Sequence, residues 1–171
     1  CWAEPNFIFF KNGPESQMQE SLEQDLKSSL RGVDVVREYN LGASKPVDVR
    51  VYWKEANRAA LIEMKWLGIS KNPDTGKIST PYLDARANEG AVQLKNYLNL
   101  ENKDTPTCIT KGYLILIDGR RQGINKDTVT ISEVDGMHFS NEEIIFDEDK
   151  KFHETTINFQ PPIRMFTAPR H

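Results

Sequence analysis

The sequence predicts an α/β fold, in which a central mixed sheet flanked by helices forms an α+β sandwich. Three observations support this class. An amphipathic helix precedes three apolar segments, and these alternate with the period of two that is typical of strands. A second amphipathic helix comes next. Residues 112–119 then form a run so apolar that it suits a strand covered on both faces. The predicted order is therefore helix, three strands, helix, strand.

Each element follows from its own pattern. In the first helix, over residues 15–31, an apolar residue recurs every four positions at Met18, Leu22, Leu26 and Leu30. Strands are predicted over residues 33–39, 47–53 and 59–66, the second helix over about 82–99, and the fourth strand over 112–119. Later signals are weaker: an edge strand over residues 128–132, a short helix capped at Ser140, and a strand over 152–159.

The 171 residues suit one domain. We divide it into a lead-in over residues 1–14, a core over 15–119, and an acidic C-terminal extension over 120–171 that belongs to the same domain. No apolar run has the length of a membrane span, so no membrane partner is expected. The two cysteines, Cys1 and Cys108, lack paired spacing, which favours the cytoplasm. A homodimer and a larger parent chain are both compatible with this sequence.

Charge is distributed unevenly along the chain. The formal net charge is −3, yet residues 133–154 hold eight acids and only two bases. The remainder carries 20 bases against 17 acids, a mild excess that is compatible with a phosphate-bearing partner. The acidic stretch leaves a separate hypothesis open, namely that it binds a partner protein or mimics nucleic acid.

A short polar set lies on the second and third predicted strands. Asp48 lies on one, and Glu63 and Lys65 lie on the other. The period of two places these three on one face of the sheet. The opposite, core-facing set comprises Val47, Val49, Val51, Ile62, Met64 and Trp66. Two carboxylates beside an ammonium can hold a divalent cation, an arrangement that suits metal-dependent hydrolysis of a phosphodiester. The alternative is a buried ion pair with a purely structural role.

These strands resemble the core of the PD-(D/E)xK nuclease superfamily, which has a restriction-endonuclease-like fold. Glu63-Met64-Lys65 matches the second half of the motif, and the usual Pro-Asp is relaxed to Pro46-Val47-Asp48. Gln93 and Tyr97 form a Gln-x-x-x-Tyr similar to that of RecB-like members. Residues 23–37 are similar to the first helix and strand of archaeal Holliday-junction resolvases. The resemblance covers roughly residues 15–119.

The resemblance implies a metal site. Asp48 and Glu63, with the Met64 carbonyl, would hold Mg²⁺ or Mn²⁺. Lys65 would orient or help deprotonate the attacking water and stabilise the developing charge. A glutamate of the first helix would serve a second ion or act through a water. Glu23 is the best match for it, and Glu20 is the alternative.

The resemblance also implies helper residues. Gln93 and Tyr97 would position the water, the phosphate or Lys65, unless they only pack the helix on the sheet. The cations expected to contact DNA are Arg50, Lys71, Lys77, Arg86 and Lys95. For these, a solvated surface role is an open alternative, and Arg50 has a second one, an ion pair with Asp48 or a neighbouring acid.

The function expected on these grounds is a metal-dependent nuclease that hydrolyses DNA, as the effector domain of a defence, restriction or repair protein. RNA is not excluded as a substrate. The alternative is a catalytically silent DNA-binding or scaffold module with the same fold.

Overall fold

The computed structural model describes residues 1–42 and 46–170, so the middle of the predicted loop before the second strand, residues 43–45, lies outside the described residues. In chain order the elements are β1 (Phe10–Lys11), α1 (Glu15–Ser29), β2 (Asp34–Tyr39), β3 (Val47–Trp53), β4 (Arg58–Leu67), β5 (Ser70–Lys71), α2 (Asp84–Asp104), β6 (Ile109–Asp118), α3 (Glu133–Met137), a 3₁₀ turn (Glu148–Lys150), α4 (Phe152–Thr155) and β7 (Ile163–Phe166).

The centre of the fold is a five-stranded mixed sheet in the order β2-β3-β4-β6-β7. The pairs β2–β3 and β3–β4 are antiparallel, whereas β4–β6 and β6–β7 are parallel. The α2 helix is the crossover that two parallel neighbours such as β4 and β6 require. The predicted α/β class with a mixed central sheet flanked by helices is confirmed. In the described part of the chain, no helix combines the length and apolarity that crossing a membrane takes.

Each face of the sheet carries one helix. The predicted stripe of α1, led by the buried Met18, packs on the face formed by Val49, Val51, Ile62 and Met64. On the opposite face the stripe of α2 packs against Leu61, Leu114 and Leu116 of the sheet, through Ala87, Ala91, Leu94 and Leu98. The sheet is thus buried between two apolar layers, and polar groups reach it only where a helix leaves room.

One residue of the predicted core face is on the wrong side. Val47 packs with Leu41 and Leu61 in the α2 layer, not with Val49 and Val51. The backbone pairing of β3 with β4 ends at Val49, and β3 is free to turn before that point. The simple alternation therefore fails at the first residue of the strand.

The C-terminal third departs most from the sequence patterns. Residues 128–132 form no strand, and the short helix begins at Glu133, capped by Ser132, rather than at Ser140. The predicted strand over 152–159 is instead the short helix α4 followed by a turn. Strand β7 lies in the tail that no pattern assigned, and it pairs with β6 along the edge of the sheet. Residues of the acidic extension therefore complete the central sheet.

Candidate active site

Asp48 lies where β3 and β4 separate. The last backbone pair between these strands is Val49 with Ile62. Beyond it, the Asp48 carboxylate bonds to the edge of β4 in place of a backbone carbonyl of β3. Its Oδ2 accepts the Met64 amide at 2.6 Å, and its Oδ1 accepts Gln19 Nε2 at 2.7 Å. Asp48 is thereby fixed between the sheet and the first helix.

Glu63 and Lys65 form a buried pair beside it. Their exposed fractions are 2% and 6%, and Lys65 Nζ lies 2.5 Å from Glu63 Oε1. The second oxygen of Glu63, Oε2, is buried and has no hydrogen-bond partner among the described residues. The Lys65 stem fits against Gly90 of α2, where a Cβ would lie 2.8 Å from Lys65 Cγ. A glycine in the helix thus makes room for the lysine.

These side chains line a cleft of about 150 Å³ between the N-terminal ends of the two helices. Four acids and two bases contribute to its wall. Its lining residues are Glu15, Gln19, Glu38, Pro46, Asp48, Glu63, Lys65, Arg86, Gln93 and Tyr97. Negative charge therefore exceeds positive charge in the cleft.

The titration behaviour of the cleft reflects this excess. Burial, together with the charge of Asp48, raises the pKa of Glu63 to about 7, although the charge and hydrogen bond of Lys65 act in the opposite direction. Burial also raises the pKa of Asp48. Burial, with the charges of Glu63 and Asp48, raises the pKa of Tyr97 to about 12. The positive charge in the cleft is therefore too small to keep the pKa values of Asp48 and Glu63 in their ordinary range.

The predicted helper residues of α2 also line the cleft. The Tyr97 hydroxyl donates to the Pro46 carbonyl at 3.0 Å, which ties α2 to the segment entering β3. Gln93 lies in the cleft wall, and its Oε1 is buried without a hydrogen-bond partner in the described chain. The structure thus brings Gln93 and Tyr97 together with Asp48, Glu63 and Lys65.

The acid of the first helix is not where the sequence placed it. Glu23 pairs with Lys27 at 2.8 Å and with Arg37 at 3.8 Å, outside the cleft, and Glu20 is exposed on the helix surface. The residues in the cleft are Glu15 and Gln19. Residues four apart share a helix face, so Glu15, Gln19 and Glu23 lie on the same face of α1. The first turns of α1 reach the cleft, whereas the turn that holds Glu23 does not.

A further acid, Glu38, was not singled out by the sequence. It lies between the β2–β3 pairs Arg37–Val49 and Tyr39–Val47, which places it opposite Asp48. Its backbone adopts the left-handed region with φ of 51°, which is unusual for a residue with a side chain. A strand pattern alone gives no sign of such an irregularity.

The five cations predicted to contact DNA have different surroundings. Arg86 lines the cleft, where its Nη2 lies 2.6 Å from Glu15 and its Nη1 lies 2.9 Å from Glu89. Arg50 does not face the cleft. It is paired with the buried Glu101 at 2.7 Å, with its guanidinium over the rings of two tyrosines, Tyr39 and Tyr52. The neighbouring-acid alternative for Arg50 is therefore the one observed.

The three lysines lie away from the cleft. Lys71 is 3.6 Å from Glu4, and Lys95 donates to Thr156 at 2.8 Å, which attaches α2 to the C-terminal segment. Lys77 is exposed in the loop after β5. Among the five predicted cations, Arg86 alone lines the cleft.

The cleft fits a magnesium-type cation. Among the described residues no three His, Cys, Asp or Glu side chains group with metal-binding geometry, but Mg²⁺ needs only one or two carboxylates, with waters and substrate oxygens completing its shell. Asp48 and the unpartnered oxygen of Glu63 supply that number. Because the Met64 amide faces Asp48, its carbonyl lies on the same edge of β4 and faces the same gap.

No family model, curated protein or solved structure matches the chain. Any function assigned to the cleft is therefore inferred from the side chains that line it.

Proposed function

We propose that the chain is a Mg²⁺- or Mn²⁺-dependent nuclease that hydrolyses DNA phosphodiester bonds on a restriction-endonuclease-like fold. The observation that carries this proposal is Glu63: it is 2% exposed, bonded to Lys65 through one oxygen, and unpartnered at the other. An under-compensated buried carboxylate is costly, and such groups concentrate at functional sites. A cation between Glu63 and Asp48 would remove that cost.

The sheet supports the same reading. The helix, three strands, helix, strand order surrounds an antiparallel pair that opens at Asp48 and a parallel pair that carries Glu63 and Lys65. Gln93 and Tyr97 line the cleft from α2, as the Gln-x-x-x-Tyr of RecB-like nucleases would require. These features are expected together in a PD-(D/E)xK nuclease.

In the proposed mechanism, Asp48 and Glu63 hold the cation, with the Met64 carbonyl beside them. When bound, the cation would polarise the phosphate and make water a stronger nucleophile. Lys65 is held by Glu63 at 2.5 Å, so its ammonium is directed into the cleft. There it donates to the attacking water or to a phosphate oxygen and offsets the charge that develops in the transition state.

Three further residues have roles in the proposed site. Arg86 offers a guanidinium at the mouth of the cleft and suits a phosphate oxygen. Gln93 presents an unsatisfied amide oxygen, which can accept from the attacking water. Tyr97, whose pKa is raised to about 12, stays neutral and holds the Pro46 segment, so it is a positioning residue.

The test is a cleavage assay with supercoiled, linear duplex and single-stranded DNA, and with RNA of matched length, in Mg²⁺, Mn²⁺ or EDTA. We expect cleavage of DNA in either metal and none in EDTA. Asp48→Asn and Lys65→Met should each reduce the rate by about 10²-fold or more, the scale of losing one charge-stabilising group. Asp104→Asn is the control, since it alters an exposed acid at the end of α2 outside the cleft and should keep the metal-dependent rate.

Equal cleavage by the wild type and Lys65→Met would contradict the proposal. Retention of DNA in EDTA without cleavage in either metal would favour the silent binding module instead. Cleavage of RNA alone would keep the mechanism but change the substrate.

A further inference from the structure

A second concavity lies at the other end of the β3–β4 pair. It is a groove of about 480 Å³, within the size range of ligand sites. Its lining residues are Trp53, Ala56, Arg58, Ala59, Ala60, Ile109, Lys111 and Tyr113. Trp53 is five residues along β3 from Asp48, roughly 17 Å at the rise of a strand. The groove is therefore separate from the cleft.

The sheet register explains how the groove forms. Arg58 pairs with Trp53 on one side and with Ile109 on the other, and Ala60 pairs with Lys111. Directly paired residues share a face, so these side chains emerge together on the α1 side. That helix packs mainly on β2, β3 and β4, and the adjoining face of β6 is left open, with Ile109 56% exposed.

Small residues make the floor and aromatic residues make the walls. Ala56 and Ala60 leave space between Trp53 and Tyr113, whose other sides pack on the apolar core. Both rings are therefore held in place while part of each lines the groove. A fixed aromatic surface beside an open space can stack on a flat ligand at low entropic cost.

The charges of the groove are all positive. Arg58 and Lys111 are exposed, and neither forms an ion pair within the part of the chain that the structure describes. Outside the groove, by contrast, Arg50 is paired with Glu101 and Arg86 is paired with Glu15. No carboxylate lines the groove. On a protein of net charge −3, two free cations beside two aromatic rings complement a ligand that is both anionic and aromatic.

We propose that this groove binds single-stranded nucleic acid, with bases stacked on Trp53 and Tyr113 and phosphates bound by Arg58 and Lys111. Aromatic platforms joined to a cationic track are the general solution for unpaired strands. A duplex hides its base faces, so it cannot use the rings. Along β3 the groove lies about 17 Å from Asp48, and it faces the α1 side of the sheet, whereas Lys65 of the cleft faces α2. An unpaired segment bound in the groove would therefore pass around the sheet to reach the cleft.

The test is binding of fluorescein-labelled dT₁₂ in EDTA, which separates it from cleavage. The wild type should bind, with quenching of tryptophan emission. Trp53→Leu should weaken binding by about tenfold, the lower part of the range for one base–aromatic stack. Lys111→Gln should weaken it severalfold and reduce the salt dependence by about one unit of slope. The control is Lys103→Gln, an exposed cation on α2 that should change affinity by less than about twofold.

Other outcomes would overturn the proposal. These are an equal loss in Lys103→Gln, equal affinity for the dA₁₂·dT₁₂ duplex, or no binding by the wild type. Thymidine monophosphate binding as tightly as dT₁₂ would indicate a free-nucleotide site and overturn the strand as occupant. Lys111 is exposed, so Lys111→Gln tests the groove even if Trp53→Leu fails to fold. A wild type that binds dT₁₂ but cleaves no DNA would contradict only the proposed nuclease activity. A wild type that cleaves DNA but does not bind dT₁₂ would contradict only the proposed groove.

Discussion

Glu63 and Asp118 are buried carboxylates on the parallel strands β4 and β6, and their surroundings differ in one respect. Both oxygens of Asp118 are bonded: Oδ1 accepts the Arg120 amide at 3.0 Å, and Oδ2 accepts Arg120 Nη2 at 2.8 Å and Arg164 Nε at 2.9 Å. Glu63 has Lys65 at one oxygen and nothing at the other. The fold supplies a partner for every oxygen of Asp118, as a structural role requires. The open oxygen of Glu63 is what the proposed metal site requires.

The Asp118 network also joins distant parts of the chain. Arg120 reaches Asp84 at the start of α2 at 2.8 Å. Arg164 of β7 donates to the carbonyls of Phe139, Ser140 and Glu142. The buried charge therefore anchors the C-terminal segment to the core. In the cleft, Asp48 is also bonded at both oxygens, by the Met64 amide and Gln19 Nε2, so the open position there belongs to Glu63 Oε2.

The largest expected effect is a difference in the free energy of unfolding between variants of Asp118 and Glu63. Asp118→Asn should destabilise the protein by about 3–5 kcal/mol, because it removes a fully buried charge that pairs with Arg164 and leaves Arg120 with Asp84 alone. Glu63→Gln should cost less, because the amide oxygen can still accept from Lys65 Nζ and the acid that is removed has a pKa already raised to about 7. Urea unfolding in EDTA measures both. A loss in Glu63→Gln as large as that in Asp118→Asn would make Glu63 structural too.

The second effect is on pH dependence. The folded state raises the pKa of Glu63 from 4.5 to about 7, so this group's contribution is fully present below pH 4.5 and is lost as the pH rises through about 7. Without metal, the free energy of unfolding should fall over this window by at most about 3 kcal/mol. Glu63→Gln should show a smaller fall, and Mg²⁺ should restore wild-type stability at pH 8. A wild type that becomes more stable across the same window would contradict the assignment.

The third effect concerns the room made for Lys65. Gly90→Ala would place a Cβ 2.8 Å from Lys65 Cγ and 2.9 Å from Leu114 Cδ1. We expect kcat for DNA cleavage to fall by about tenfold through displacement of the ammonium, with a cost of about 1–3 kcal/mol in stability from overpacking. Asn99→Ala is the control, because it changes an exposed position on the same helix that does not line the cleft. Full activity in Gly90→Ala would show that the position of the lysine is not critical.

The smallest effect separates the two ends of the ion pair at the mouth of the cleft. If Arg86 receives the phosphate, Glu15 competes for it at 2.6 Å. Arg86→Gln should then raise KM for DNA severalfold, and Glu15→Gln should lower it by about twofold, in keeping with a partly exposed pair. Steady-state kinetics on a short duplex measures both. Changes of the same sign would mean that the pair only holds α1 to α2.

The sequence was informative where one element determines the geometry. Glu63 and Lys65 followed from strand periodicity, and the spacing of Gln93 and Tyr97 followed from one turn of helix. Asp48 lies beside them although the alternation fails at its neighbour Val47. These features are local, so they can be read without knowing the packing. The mixed sheet followed in turn from the order of the elements.

The rest depended on how elements meet. The turn of α1 that reaches the cleft is set by packing against the sheet, which is why Glu15 and Gln19 replaced Glu23. Glu38 depends on a backbone irregularity. Strand β7 has only four residues, too few for a periodic signal, and its partners lie far away in the chain. The acidic C-terminal stretch was predicted from composition, which does not specify the contacts of this segment with β6 and Asp118.

The central claim is that a divalent cation completes the shell of Glu63, and calorimetric titration of Mn²⁺ into the metal-free protein tests it most directly. We expect Mn²⁺ to bind to the wild type and to Asp104→Asn alike. Binding should be lost in both Asp48→Asn and Glu63→Gln. Near pH 7 it should release protons, because Glu63 is then partly protonated. Mn²⁺ binding that is absent from the wild type, or unchanged in Asp48→Asn and Glu63→Gln, would contradict the account.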